Sequence, residues 1–170
     1  MDKKVFLSYE GVLQFSNALE LLNASINEFN KVADKMVPEK LLQDGFISYL
    51  RYFCKSLEET SNVKFIIQSK ITDLITGEET VINLFRVMRS VLLLLLKNSQ
   101  PGFISIDLRR SENLLNISIE DDGINIFRQP LFMVSQTIEN VMAIMETLGG
   151  KLSANTAPLA GNIITIEVPT

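Results

Sequence analysis

The sequence predicts an α/β fold: a two-layer sandwich of a mixed, mostly antiparallel five-stranded sheet with helices on one face, preceded by a long N-terminal helix. Three observations carry that prediction. The stretches 104–108 and 115–119 alternate apolar and polar residues, as half-buried strands do. Two other stretches, 12–36 and 46–57, place apolar residues at the three-and-four spacing of a helix face. Along the chain the elements run helix, helix, strand, helix, strand, strand, helix, strand, strand, an order that one sheet with helices against one face accommodates.

The first third is read as helix. Val12, Phe15, Leu19, Leu22, Ile26, Phe29, Ala33 and Met36 recur at alternating steps of three and four, and polar residues such as Gln14, Glu20 and Asn27 fill the other faces. This is the a/d spacing of a coiled-coil seam over roughly three heptads. The stripe fits either a helix lying on its own domain or a seam shared with a partner or a second copy. Pro38 stops or bends the helix, because proline removes a backbone donor and crowds the preceding turn. The expected boundary therefore separates 1–38, a dimerisation-type helix, from 39–170.

A second helix is expected from Phe46 to Glu59, with Phe46, Tyr49, Leu50, Phe53 and Leu57 on one face and Leu41, Leu42 and Gly45 as its approach. Val63 to Ile67 follows as a short strand. Thr76-Gly77-Glu78-Glu79 has the form of a capping box, Thr with Glu three residues on, and opens a helix to about Asn98. Pro101-Gly102 makes a turn, and Ser111-Glu112-Asn113 connects the two alternating strands as a hairpin. About ten residues without clear period follow Asp121-Asp122-Gly123. A helix from Gln136 to Leu148 closes on Gly149-Gly150, and two strands, 151–155 and 163–168, end the domain.

Composition narrows the function. Of 170 residues, 46% are hydrophobic and 21% charged, which is ordinary for a globular chain. A net charge of −4, with Lys3–Lys4 and Arg109–Arg110 as the only adjacent basic pairs, argues against nucleic acid, whose backbone rewards a concentrated basic face. The longest apolar run, Val91 to Leu96, is far short of the ~20 residues that span a bilayer. With no signal-like N-terminus either, the chain is expected to be cytoplasmic, with no membrane insertion. The single cysteine, Cys54, lies in an apolar helix segment and reads as a buried thiol. The sequence contains no histidine, so the usual general base, the commonest metal ligand and the phosphoacceptor of two-component signalling are all missing from it.

These elements resemble the ATP-binding domain of the GHKL (Bergerat-type) superfamily. Within it they are most similar to sensor histidine kinases whose dimerisation helix runs directly into the ATPase domain. Phe15 to Leu22 through Met36-Val37-Pro38 looks like the second dimerisation helix and its Met-Pro linker; Gly45-Phe46 with Tyr49-Leu50 looks like the first ATPase helix. Ile117 to Gly123 looks like the first glycine box, and Leu148 to Leu152, Gly161-Asn162 and Val168-Pro169 look like the closing strands. The resemblance implies a nucleotide site at Asp121, Gly123, Lys97, Asn98, Gly161 and Asn162. Asp121 would accept a hydrogen bond from the adenine amino group, and Lys97 and Asn98 would lie near the phosphates. On residues alone Asp121 reads equally as a turn residue, and Lys97 as a cation favoured at a helix C-terminus.

The departures from the family are as informative. Its active members carry a Glu and two Asn on the helix corresponding to Leu84–Ser99, for water and magnesium; here those positions read Ser90, Leu93 and Leu94. A leucine offers no oxygen to a hard cation, although plain core filling explains it as well. Asn125 stands where a second glycine is expected, and the second glycine box falls on Ser135-Gln136-Thr137, whose side chains restrict approach of phosphate to the backbone. The helix that would carry a phosphoacceptor His has no counterpart in these 170 residues.

The expectation is a non-catalytic pseudokinase of a two-component-type pathway, with no catalytic residues, no metal and no cofactor. It would act by protein–protein interaction through the seam of Phe15, Leu19, Leu22, Ile26 and Phe29, as a homodimer or with a kinase or response-regulator partner. The alternatives are a sensor of ATP, ADP or another small ligand in the residual pocket, and an active ATPase or protein kinase.

Overall fold

The computed structural model describes residues 11–22, 39–71, 77–126, 132–156 and 161–170. The chain divides into two compact units, Met1–Val37 and Pro38–Thr170. In the first, residues 11–22 form helix α1. Its stripe of Val12, Phe15, Leu19 and Leu22 is exposed, at 43–60%. Ile26, Phe29, Ala33, Met36 and Pro38, which extend the seam and end it, lie outside the described residues.

The second unit opens with α2 (Glu39–Asp44) and α3 (Phe46–Ser61). Of the residues read as its approach, Leu41 and Leu42 thus lie in a helix of their own, which buries Leu41, and Gly45 is the N-cap of α3. Helix α3 buries Phe46, Leu50 and Cys54, one residue per turn on a single face, and ends on Asn62 in the left-handed conformation. Burial, with Glu58 nearby, pushes the Cys54 thiol up to about 12, so it stays protonated and inert. Strand β1 (Lys64–Ser69) follows.

Helix α4 (Glu78–Asn98) begins on Gly77, which makes no side-chain cap bond. Thr76, expected as its cap, lies outside the described residues. The helix is apolar around much of its circumference and buries Leu84, Phe85, Val87, Met88, Val91, Leu92, Leu94 and Leu95. Such a helix needs cover beyond the sheet alone, and α3 and α5 (Phe132–Thr147) pack against it. Helix α5 starts four residues before the expected Gln136. It ends as expected: Gly149, at φ 59°, donates its N–H to Glu146 and Gly150 donates to Met145, the paired bonds of a Schellman motif.

The five-stranded sheet has the order β1-β2-β3-β5-β4, with β2 at Phe103–Ser111, β3 at Leu114–Asp121, β4 at Lys151–Thr156 and β5 at Asn162–Pro169. Strands β1 and β2 are parallel, joined through α4, and the other pairs are antiparallel. The turn Glu112–Asn113 joins β2 to β3, with Glu112 at φ 44°. Register aligns the core in cross-strand rows. Leu108, Ile117 and Ile166 form one, and Ile106, Ile119 and Ile164 the next; all six are buried. The mixed, mostly antiparallel sheet under helices agrees with the predicted architecture. Among the described residues no helix is long and apolar enough to cross a membrane.

Candidate functional site

Continuing those rows by one step changes their chemistry. The next reads Ile104, Asp121, Asn162. Because strand side chains alternate, Asp121 is in phase with Leu115, Ile117 and Ile119, and Asn162 with Ile164, Ile166 and Val168. The sheet therefore aims a carboxylate and a carboxamide into its core face at one end. Asp121 is 4% exposed and Asn162 is 0% exposed. Ser99, the residue that ends α4, is buried beside them.

The three side chains satisfy one another. Ser99 Oγ donates a short hydrogen bond to Asp121 Oδ1, which also accepts from the Gly123 N–H at 2.8 Å. Asn162 Nδ2 lies 3.0 Å from Asp121 Oδ2, 3.2 Å from Oδ1, 3.0 Å from Ser99 Oγ and 3.0 Å from the Ile124 carbonyl. Asn162 Oδ1 accepts from the Ile126 N–H at 3.1 Å. Backbone comes close enough here to require glycine. A Cβ on Gly161, at φ 78°, would lie 1.7 Å from the Asp121 carbonyl oxygen, and one on Gly123 would lie 2.2 Å from that of Ser99.

Four of the six residues in the expected nucleotide set thus come together: Asp121, Gly123, Gly161 and Asn162. The other two do not join them. Asn98 is buried, but its Nδ2 donates to the Leu94 carbonyl of its own helix at 2.8 Å, and Lys97 is exposed. Neighbouring Asp122 accepts from the N–H groups of Gly102 (2.7 Å) and Phe103 (3.0 Å), and the Phe103 bond foremost holds its carboxyl below the usual carboxylate range.

Between α4, α5 and the β4–β5 pair lies a cavity of about 20 Å³. Val91 and Leu94 of α4, Thr137, Ile138 and Val141 of α5, Leu152, Ala154 and Ile164 line it, with Ile126 beside them. The space matches about one water, and although Thr137 is among the lining residues the surface that faces the cavity is apolar. The two leucines read together at the family's magnesium positions part company here: Leu94 is buried and lines the cavity, whereas Leu93, one helical step of 100° away, is 38% exposed. Ser135, Gln136 and Thr137 lie within α5 rather than at its start. The amides of Gln136 and Thr137 therefore follow the helix's first four N–H groups and are committed to its internal bonds. Among the described residues no three His, Cys, Asp or Glu side chains gather where they could hold a metal.

Sequence reading missed Ser99 and the part played by Asn162. The signal was present: both Asp121 and Asn162 continue the buried phase of their strands, so each had to be a satisfied polar group inside the core.

A mixed sheet in this order, under α3, α4 and α5, is the fold of the ATPase domain of sensor histidine kinases. The histidine kinase domain of the blue-light activated histidine kinase from Erythrobacter litoralis EL346 superposes with a TM-score of 0.59 at 17% identity, over 73% of this chain and 60% of that one. Acinetobacter baumannii histidine kinase AdeS gives 0.62 at 14% identity, over 99% of this chain and 88% of that one. The mycobacterial sensor histidine kinase MprB gives 0.52 at 18%, over 70% and 89%. The chain spans 60% of the first of these and 44% of the longer blue-light kinase chain. At such identities the likeness is one of fold. No family model and no curated protein matches the sequence.

Proposed function

We propose that this chain is a histidine-kinase-like signalling or scaffold protein that acts by binding another protein and not by phosphoryl transfer. The observation that carries the reading is the apolar wall of Val91, Leu94, Ile138 and Val141 between α4 and α5. Phosphoryl transfer needs oxygen ligands for magnesium and donors for developing charge, and these side chains supply neither. The internal helical bonds of the Gln136 and Thr137 amides support the same reading, since a phosphate needs backbone N–H groups that are free.

The exposed stripe Val12, Phe15, Leu19 and Leu22 supports the second half, interaction. Apolar side chains at this spacing and exposure suit a helix that packs against another helix, in a second copy of the chain or in a kinase or response-regulator partner.

Calorimetric titration of the whole chain with ATP, with and without magnesium, tests the first half. The expected result is no magnesium-dependent heat and no phosphate release; tight magnesium-dependent binding would return the enzyme reading to the front. Light scattering on the wild type and on Leu19→Glu tests the second, with the expected loss of a dimer, or of a captured response regulator, in the variant. A monomeric wild type that captures no kinase or response regulator refutes it.

A further inference from the structure

We propose that the outer edge of β1 is a second interface, at which two copies of the chain pair antiparallel across a two-fold axis at Ile66 and join their sheets into one. This edge lies outside the reading above: it depends neither on the α1 stripe nor on the state of the nucleotide site.

Backbone direction defines the edge. Lys64 donates its N–H to the Gly102 carbonyl at 3.1 Å and Lys70 donates to Leu108 at 3.4 Å, so the even-numbered residues of β1 turn toward β2. Phe65, Ile67 and Ser69 therefore turn their N–H and C=O groups the other way, where no strand stands among the described residues. The Phe65 N–H donates there to the Glu58 carboxylate at 2.7 Å, an oxygen placed as a neighbouring strand's carbonyl would be.

The two edges of the sheet differ in composition. Strand β4 exposes Lys151, Ser153 and Asn155, polar residues that discourage pairing. Strand β1 has Phe65, Ile66 and Ile67 in succession. Phe65 and Ile67 share the inner face with their buried neighbours Ile104 and Ile106, yet they are only half-buried. Ile66 is 49% exposed on the outer face, diagonal to Phe103 at 41%.

A second copy fits this edge in one register. Antiparallel pairing sets edge-facing residues opposite one another. With Ile66 opposite the partner's Ile66, Phe65 meets the partner's Ile67 and Lys64 meets the partner's Gln68. Apolar then faces apolar on both sides of the sheet, and no like charges meet. Centring on Ile67 instead sets Lys64 against the partner's Lys70, and centring on Phe65 sets Lys64 against the partner's Ile66; both are poorer cross-strand pairs. In the favoured register the carbonyl of the partner's Ile67 replaces Glu58 at the Phe65 N–H. The carboxylate so released has a cation to meet. Helix α3 turns directly back into β1, which brings Arg51, two turns before Glu58 on the same side of the helix, level with the partner's Glu58.

Oxidative cross-linking of the whole chain tests the register. Across the axis the two Ile66 residues form a non-hydrogen-bonded pair with Cα atoms about 4.5 Å apart, within disulfide reach. The two Gln68 residues lie about 13 Å apart along the strands, beyond it. Cys54 is buried and protonated and does not compete. Ile66→Cys is expected to give covalent dimer about tenfold faster than Gln68→Cys. Ile66→Lys and Ile66→Glu each set like charges across the axis. Sedimentation at high protein concentration should show the edge dimer lost in either variant and restored when the two are mixed. The proposal is overturned if Ile66→Cys gives no covalent dimer, if Gln68→Cys links as fast, or if mixing restores nothing.

Both positions are exposed, so the fold should survive. If Ile66→Cys loses its native circular dichroism, the wild type decides: its Ile67 amide should exchange more slowly as protein concentration rises, and a concentration-independent rate overturns the pairing. The two interfaces fail separately. Contact between two short strands is weak, so light scattering at micromolar concentration reads the α1 stripe, which Leu19→Glu removes. Ile66→Cys is expected to cross-link in the Leu19→Glu background as well.

Discussion

The two flanks of α4 are built differently. Toward α3, Phe85 sits edge-on between Tyr49 and Phe53, with ring centroids 4.9 and 5.4 Å away, and it is 5% exposed. Toward α5, Val91 and Leu94 border a void. One helix thus carries a close-packed aromatic seam on one side and aliphatic side chains that fail to fill their space on the other. Interiors generally reach crystal-like density, so a void persists where backbone placement is fixed by other contacts. The difference is one of local packing: edge-on rings fill the narrower contact with α3, while the broader contact with α5 keeps a small void.

The largest expected effect tests the aromatic flank. Phe85→Ala should destabilise the protein by about 4 kcal/mol, read as a lowered denaturant midpoint at unchanged slope, because two edge-to-face partners lose their contact and cannot collapse into the gap. Leu94→Ala should cost less, about 2 kcal/mol, since this side chain already lacks neighbours on one side and the lost transfer term dominates. Equal losses at the two positions would abolish the distinction between the flanks.

Smallest is a pH effect at the sheet end. Asp122 has a depressed folded-state pKa, so its contribution is present above the unfolded value of 3.8 and is lost as pH falls through the lower folded value. Stability of the wild type should therefore fall more steeply than that of Asp122→Asn below about pH 4. Parallel melting curves for the two proteins across that window would contradict it.

How much of this was legible follows from the residues themselves. Strands β2, β3 and β5 were plain because Ile104, Ile106 and Leu108, Leu115, Ile117 and Ile119, and Ile164, Ile166 and Val168 alternate with polar residues. The C-terminal end of α5 was plain because Gly149 supplies the left-handed turn. The phase of α4 was not. Leu92 to Leu96 is an unbroken leucine run, and a uniform run carries no period; only the flanking Leu84, Met88 and Val91 reveal that Leu94 and Leu95 face inward and Leu93 outward. Helix α2 escaped notice because six residues hold too few turns for a pattern. The closed polar knot was hidden for a different reason. Its members lie at 99, 121 and 162, and only the sheet register brings β3 and β5 together; strand phase can mark Asp121 and Asn162 as inward but names no partner for either, and nothing local marks Ser99.

The parallel pairing of β1 with β2 has a kinetic consequence. Every other neighbouring pair in the sheet is antiparallel, and β2–β3 closes through the two-residue turn at Glu112–Asn113, an event of microseconds. Strand β1 reaches its partner only across the crossover that contains all of α4, so Ser69 and Phe103 must wait for the helix to form and dock. Assembly is expected to start from the β2–β3 hairpin and to add β1 late. In pulse-labelled hydrogen exchange the amides of 104–108 should gain protection before those of 65–68, and simultaneous protection would mean that the crossover helix docks as fast as the hairpin folds.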